Sequence, residues 1–186
     1  MTMRSLQDHF LIAMPAMGDP NFNETVTYVC KHDTEGALGI IINRPTEMSL
    51  GEVFAQLSLD VRDQSQSARP VLSGGPLARD RGFVLHHAGS GYESTLRTGS
   101  DIRLTLSPDV LSAIARGDGP EPVLVALGYA GWGTGQLEAE LGANAWLSVP
   151  ADPSILFETP FEQRWAAAVG LLGVDIHQIT TYAGHA

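Results

Sequence analysis

The run Val123-Leu124-Val125-Ala126-Leu127-Gly128-Tyr129-Ala130 leads without a break into Gly131-Trp132-Gly133-Thr134-Gly135, and its reading decides the fold. Apolar and β-branched residues dominate a stretch of strand length, so Val123 to Ala130 is expected to be a buried strand. The glycines after it permit close packing and positive φ around Trp132. Leu137 and Leu141 then make a short amphipathic helix that stops at Gly142. Upstream, Ser107-Pro108-Asp109 starts a helix with a capping hydroxyl, a proline at the first position and an acid facing the positive dipole end. Val110, Leu111 and Ile114 form its apolar stripe and Gly117 its left-handed stop.

Further out, Thr25 to His32 alternates as a half-buried strand does, with Val26, Tyr28 and Cys30 on one face. Asp33-Thr34-Glu35-Gly36 turns the chain, and Ala37 to Ile42 returns as a buried strand. Asn43-Arg44-Pro45 ends this hairpin, because proline lacks the donor a central ladder needs. Ser49-Leu50-Gly51-Glu52 has capping-box spacing and predicts a helix to about Leu57. Leu59 to Arg69 is polar and aperiodic and reads as a flexible loop. Phe10 to Ala13, Val71 to Ser73, Gly82 to His87, Ile102 to Leu106 and Trp146 to Val149 are further short strands. Asp152-Pro153 opens a helical turn. Thr159-Pro160-Phe161-Glu162 reads as a second capping box, starting a helix that buries Phe161, Trp165, Val169 and Leu172 and ends at Gly173. Val174 to Ile179 reads equally as helix or strand. Strands and helices interleave without strand–helix–strand regularity, which predicts an α+β fold with a mixed sheet rather than a doubly wound one.

The chain has 186 residues, 44% of them hydrophobic and 17% charged, enough for one ordinary core, so one domain over residues 1–186 is expected. Eleven basic against twenty-one acidic residues leave a formal charge of −10, and the basic set is Lys31 and dispersed arginines. Such a surface repels phosphates and anionic lipid, so direct nucleic-acid binding and membrane binding are both disfavoured. The lone cysteine, Cys30, forms no internal disulfide and suits a reducing compartment, and Phe10 to Met14 is too short for a signal-peptide core, so a cytoplasmic protein is expected.

Known chemical signatures are met only in fragments. Gly128 to Gly133 has the first half of a phosphate-loop spacing, but Thr134-Gly135 stands where lysine and a hydroxyl belong, and Glu138 and Glu140 would repel an anion. Cys30 and His32, two apart on a strand, are expected to share a side and could pair as thiolate and imidazole. A core cysteine beside an edge histidine is the simpler reading. His86 and His87 face opposite ways on a regular strand and cannot share one metal. With no Cys-x-x-Cys, His-Glu-x-x-His or Asp-rich calcium pattern, neither a metal nor a cofactor is expected. Polar residues placed at strand ends carry more weight: Asn43 and Arg44, Gly74 and Gly75 after Ser73, and Trp132 with Gln136. If these ends converge, they line one hollow that could seat a carboxylate or a peptide.

Several of these segments resemble the AlgH/YqgE family of bacterial proteins. The matching stretches are Phe10 to Pro15, Asp19 to Phe22, Gly39 to Pro45, Gly74 to Pro76, Arg81 to Leu85, Gly128 to Glu138 and Asn144 to Trp146, together with the ending Ala183 to Ala186. The resemblance implies a bent, branching sheet that includes a small barrel, with helices packed around it. One branch of the family is named for a regulatory effect on alginate production, but the resemblance supplies neither catalytic residues nor a DNA-contacting element. The leading expectation is therefore a non-enzymatic cytosolic regulatory module. It would bind a protein segment or small ligand through Asn43, Arg44, Gly74, Gly75, Trp132 and Gln136, with regulation indirect. The alternative is a hydrolase or transferase using Cys30, His32 or His86, and a direct DNA-binding regulator is third.

Overall fold

The computed structural model describes residues 4–14, 24–89, 91–98 and 101–173. Most of the loop after Ala13, the segment from Val174 to Ile179 and the ending from Ala183 to Ala186 lie outside the described residues. The decisive run forms β9 (Val123–Trp132), two residues longer than its apolar stretch, because Gly131 and Trp132 still pair with Leu38 and Ala37. Around it stand β1 (His9–Ala13), β2 (Val26–Asp33), β3 (Gly36–Ile41), β4 (Pro45–Ser49), β5 (Pro70–Ser73), β6 (Leu77–His87), β7 (Thr95–Arg97), β8 (Ile102–Thr105) and β10 (Trp146–Pro150). The helices are α1 (Leu50–Gln56), α2 (Asp109–Arg116), α3 (Gln136–Gly142), α4 (Pro153–Phe157) and α5 (Arg164–Gly170).

One edge of β9 is covered by β6, antiparallel. Its other edge is shared, by β5 running parallel at Ala126 and Leu127 and then by β3 running antiparallel from Ala130 to Trp132. The sheet branches at this exchange. The strand order β10-β1-β2-β3-β9-β6-β8-β7 curls until its ends approach: Gln7 Nε2 donates to the Arg97 carbonyl at 3.1 Å, and the hydroxyls of Tyr28 and Thr98 lie 2.7 Å apart. The result is the expected mixed α+β architecture, a curled, mainly antiparallel half-barrel with, among the described residues, five helices packed on it.

Alternation along each strand sorts side chains to two faces. Phe83 and Leu85 enter a cluster with Phe10, Tyr28, Ile40 and Leu104 that α5 covers through Trp165 and Val169. Val84, between them, joins Val71, Val123 and Val125 under α1 and α2. Leu11, Val29, Trp132 and Trp146 form a third cluster under α3. Among the described residues, no helix is long and apolar enough to cross a membrane.

Several local expectations need correction. Pro45 ends β3 only to open β4, opposite Leu72, where an edge strand tolerates a missing donor. Ser107 does not cap α2: its hydroxyl donates to Asp109 Oδ1, and Pro108 is the capping residue. Thr159 and Glu162 form no capping box; Phe161–Gln163 is a 3₁₀ turn and α5 starts at Arg164, with the Thr159 hydroxyl donating to Ser154 O. The Leu59 to Arg69 segment is pinned to α2, since the backbone N–H groups of Arg62 and Asp63 both donate to Ala115 O. The box Ser49–Glu52 and the left-handed Gly117 stop, at φ 86°, are found as expected.

Candidate functional site

The six residues expected to share a hollow fall into two groups. Asn43 accepts from Val26 N at 2.9 Å and donates to Glu24 O at 3.0 Å, which fastens the end of the β2–β3 hairpin. The Arg44 carbonyl accepts from Ser73 N. Gly74 and Gly75 then thread the branch of the sheet, with Gly74 N donating to Leu127 O and Gly74 O accepting from Ile41 N, both at 2.8 Å. A Cβ on Gly74 would stand 2.4 Å from Gly128 O, and one on Gly75 would stand 2.1 Å from the Tyr129 carbonyl carbon. These glycines are required by backbone approach at the seam, and Gly128, at φ +82°, lies between the β5-paired and β3-paired residues of β9.

Trp132 and Gln136 belong to the other end of β3. Trp132 sits across from Ala37, six residues before Asn43, so at strand spacing Asn43 and Trp132 are roughly 20 Å apart, while Gly75 meets the same strand nearer to Trp132, at Tyr129 and Ala130. Trp132 is 6% exposed and packs edge-on against Trp146 at 5.9 Å, while the Gln136 side chain closes a turn by accepting from Gly133 N. The six do not gather around one hollow. Trp132 alone of them lines a broad open cleft, shared with Lys31, Asp33, Leu77 and Tyr129.

Cys30 and His32 do not share a side. The β2–β3 register shifts between Val29 and Lys31, and this bulge reverses the alternation. Cys30 enters the half-barrel core with Tyr28, where burial pushes its thiol far above the ordinary range, away from nucleophilic thiolate character. His32 turns to the α3 side. Leu6 N donates to its Nδ1, so Nε2 carries the proton and donates to Glu138 Oε1 at 2.5 Å. His86 is equally enclosed: Nδ1 donates to His87 O, Nε2 accepts from the Thr105 hydroxyl, and burial chiefly lowers its pKa. The three residues do not form a nucleophile and base within reach of each other. Among the described residues, no cluster of three metal-ligating side chains exists.

The Glu138 carboxyl is held below its ordinary range by its own backbone N–H and by His32. The stabilisation this implies is present above the ordinary carboxylate range and is lost as pH falls through the depressed folded value. Because the Glu138 side chain is 38% exposed, screening keeps the effect under about 1 kcal/mol. Glu138→Gln is expected to lower the unfolding midpoint slightly at neutral pH and to leave it unchanged relative to the parent in acid, as thermal melts across pH would show.

A more enclosed hollow of about 460 Å³ lies between α1, α2 and the outer face of β6 and β9. Its floor is apolar, with Val53, Val84, Leu111, Val125 and Leu127. Its mouth is carried by a bulge in β6: pairing with β9 jumps from Leu77–Tyr129 to Gly82–Leu127, so five steps on β6 oppose two on β9. Ala78 takes the strained φ of 47° there, and Arg79, Asp80 and Arg81 stand exposed on the rim. Among the described residues, neither arginine makes an ion pair. Reading strand ends missed this site; two arginines flanking an acid just before a buried strand was the signal in the chain.

Comparison with known proteins is consistent along the whole molecule. The solution structure of the AlgH protein from Pseudomonas aeruginosa is similar at 52% identity and a TM-score of 0.81, with both chains fully covered. A UPF0301 protein of Saccharophagus degradans is 52% identical over 98% of this chain and 89% of its own, and one from Xanthomonas campestris is 50% identical over 97% and 96%. A crystal structure of a Corynebacterium diphtheriae protein, at 16% identity and a TM-score of 0.73, shares the fold over 98% of this chain and 94% of its own. The AlgH-like family profile matches residues 10–177, which takes in the branch, the half-barrel and the bulged rim together, and the chain belongs to that family.

Proposed function

We propose that this protein is a non-enzymatic binding module that takes a bulky apolar side chain of a partner protein, flanked by acidic residues, into the hollow beneath Arg79 to Arg81. The observation that carries this reading is the apolar floor bounded by an alternating charged rim on a chain of net charge −10. A dry centre inside a polar ring is the anatomy of a protein interface. The sign sequence of Arg79, Asp80 and Arg81 fits a peptide with several contacts better than a single anionic head. Leu57, 46% exposed at the edge of the hollow, extends the apolar area outward. Regulation in this reading is indirect, through the protein contact, and the setting is cytoplasmic.

Gly82 offers a sharp test, since it lines the hollow and a Cβ there meets nothing within 4 Å. Gly82→Leu is expected to fill the space without moving the backbone. A photo-crosslinking residue in place of Leu57 would capture the partner. Gly82→Leu should weaken that complex about tenfold or more, as should Arg79→Glu combined with Arg81→Glu, with affinity falling as salt rises. Adducts unchanged by Gly82→Leu, or matching those from a crosslinker at the remote Ser154, would refute the reading. Loss of a small amphipathic acid rather than a protein in the Gly82→Leu variant would reassign the occupant.

A further inference from the structure

Arg164 is an unusual residue for its position. It opens α5 facing the half-barrel and is 2% exposed. Its Nε donates to Thr159 O at 2.8 Å and its Nη1 to Ile42 O at 2.7 Å, while the Phe161 ring centre lies 4.4 Å from the guanidinium carbon. Two carbonyls and a ring orient the group but do not neutralise it. Among the described residues, no carboxylate pairs with Arg164, and its Nη2 has no hydrogen bond. An unpaired buried ion is among the costliest groups a fold can hold. Burial pulls the Arg164 pKa down to about 10, which still leaves it cationic at neutral pH.

Arg164 lines a cavity of about 230 Å³. Arg69 lines it too, donating to Val123 O at 3.3 Å and lying 3.5 Å from Glu121 Oε2. Leu50, Leu124, Phe157 and Phe161 supply apolar wall. Arg69 and Glu121 roughly cancel, so one positive charge, that of Arg164, remains for the cavity. A void of ~150 Å³ accommodates benzene, so this one has room for a ring of that size and a small polar head.

We infer that this cavity binds a small organic monoanion, a carboxylate or phosphate ester on a compact apolar body, with its oxyanion between Arg164 and Arg69. The site shares only Val125 with the lining of the hollow beneath Arg79, and its occupancy stands or falls independently of that hollow. Nη2 of Arg164, the guanidinium nitrogen left without a hydrogen bond, supplies the charged donor to the oxyanion, and Arg69 adds a second cationic group on the same wall. The single net charge favours a carboxylate over a phosphate dianion.

Titration of the full chain with sodium benzoate, phenyl phosphate and neutral benzamide, followed by backbone amide NMR, tests this. Benzoate is expected to shift the amides of Leu124, Val125 and Phe157 saturably, with benzamide about tenfold weaker for want of a charged hydrogen bond. Arg69→Gln, at a half-exposed position that leaves the fold intact, should weaken benzoate severalfold. Arg164→Gln should abolish it. A purely structural Arg164 would destabilise its variant yet confer no preference for benzoate over benzamide on the parent. Tighter binding of phenyl phosphate would identify the ligand as a phosphate ester. Equal response to benzoate and benzamide, or no local response to either anion, would overturn the inference.

Discussion

Gly75→Ala is expected to be the most damaging single methyl in this protein. The added carbon would lie 2.1 Å from the Tyr129 carbonyl carbon, 2.2 Å from its oxygen and 2.4 Å from Ala130 N. All three are backbone atoms of the central strand, so no side chain can swing aside. Relief requires moving β9 away from the Ser73 to Gly75 segment, at the expense of the bonds from Gly74 N to Leu127 O and from Ile41 N to Gly74 O. The expected cost is roughly 3–5 kcal/mol, a large part of the ~5–15 kcal/mol that stabilises an ordinary domain. Denaturant titration should show a much lower midpoint or no folded baseline. Gly170→Ala supplies the opposite sign: it closes α5, a Cβ there meets nothing within 4 Å, and a gain of up to about 1 kcal/mol is expected. A mild effect of Gly75→Ala would mean that the two backbones do not pass this closely at the branch of the sheet.

The second large effect belongs to Trp132→Ala, and it separates stability from binding. Trp132 is 6% exposed, sits edge-on to Trp146 and shares a cluster with Leu11, Val29 and Leu137. Removing it opens a void between the sheet and α3, for which about 3–5 kcal/mol is typical. Its backbone pairs with Ala37 and approaches Gly36, so the hairpin tip loosens with it. Chemical denaturation should register the full loss. The complex captured at Leu57 should keep its affinity wherever the variant remains folded, because the Arg79 hollow lies under α1 and α2 rather than α3. Loss of that complex at unchanged stability would return Trp132 to a ligand-contacting role.

Much of the fold is legible in the sequence. Period-two alternation marked β2, the apolar run marked β9, and Ser49–Glu52 marked the start of α1, because each signal is local and uncontested. The interleaving of strands and short helices implied α+β, and the resemblance to the AlgH/YqgE family implied the curled sheet. Two capping assignments failed where another partner competed: Asp109 took the Ser107 hydroxyl, and Ser154 O took that of Thr159. β4 and β7 were missed because short edge strands of polar residues carry no hydrophobic period.

The candidate site depended on facts that spacing does not encode. A single extra residue at Val29 to Lys31 put Cys30 and His32 on opposite faces, since register reverses with every one-residue shift. Gly74 and Gly75 looked like an opening for a ligand and are instead the place where one backbone passes another. Arg164 left a trace: positions 161, 164, 165, 168, 169 and 172 form one helical stripe, and a guanidinium interrupts it among Phe161, Trp165, Ala168, Val169 and Leu172. The amino-acid order by itself determined most of the strands and helices and the apolar faces of the longer ones, because those depend on neighbours within a few residues. Only the tertiary structure decided which loops meet, which charges are left unpaired and where space remains, because those depend on pairings between residues far apart along the chain.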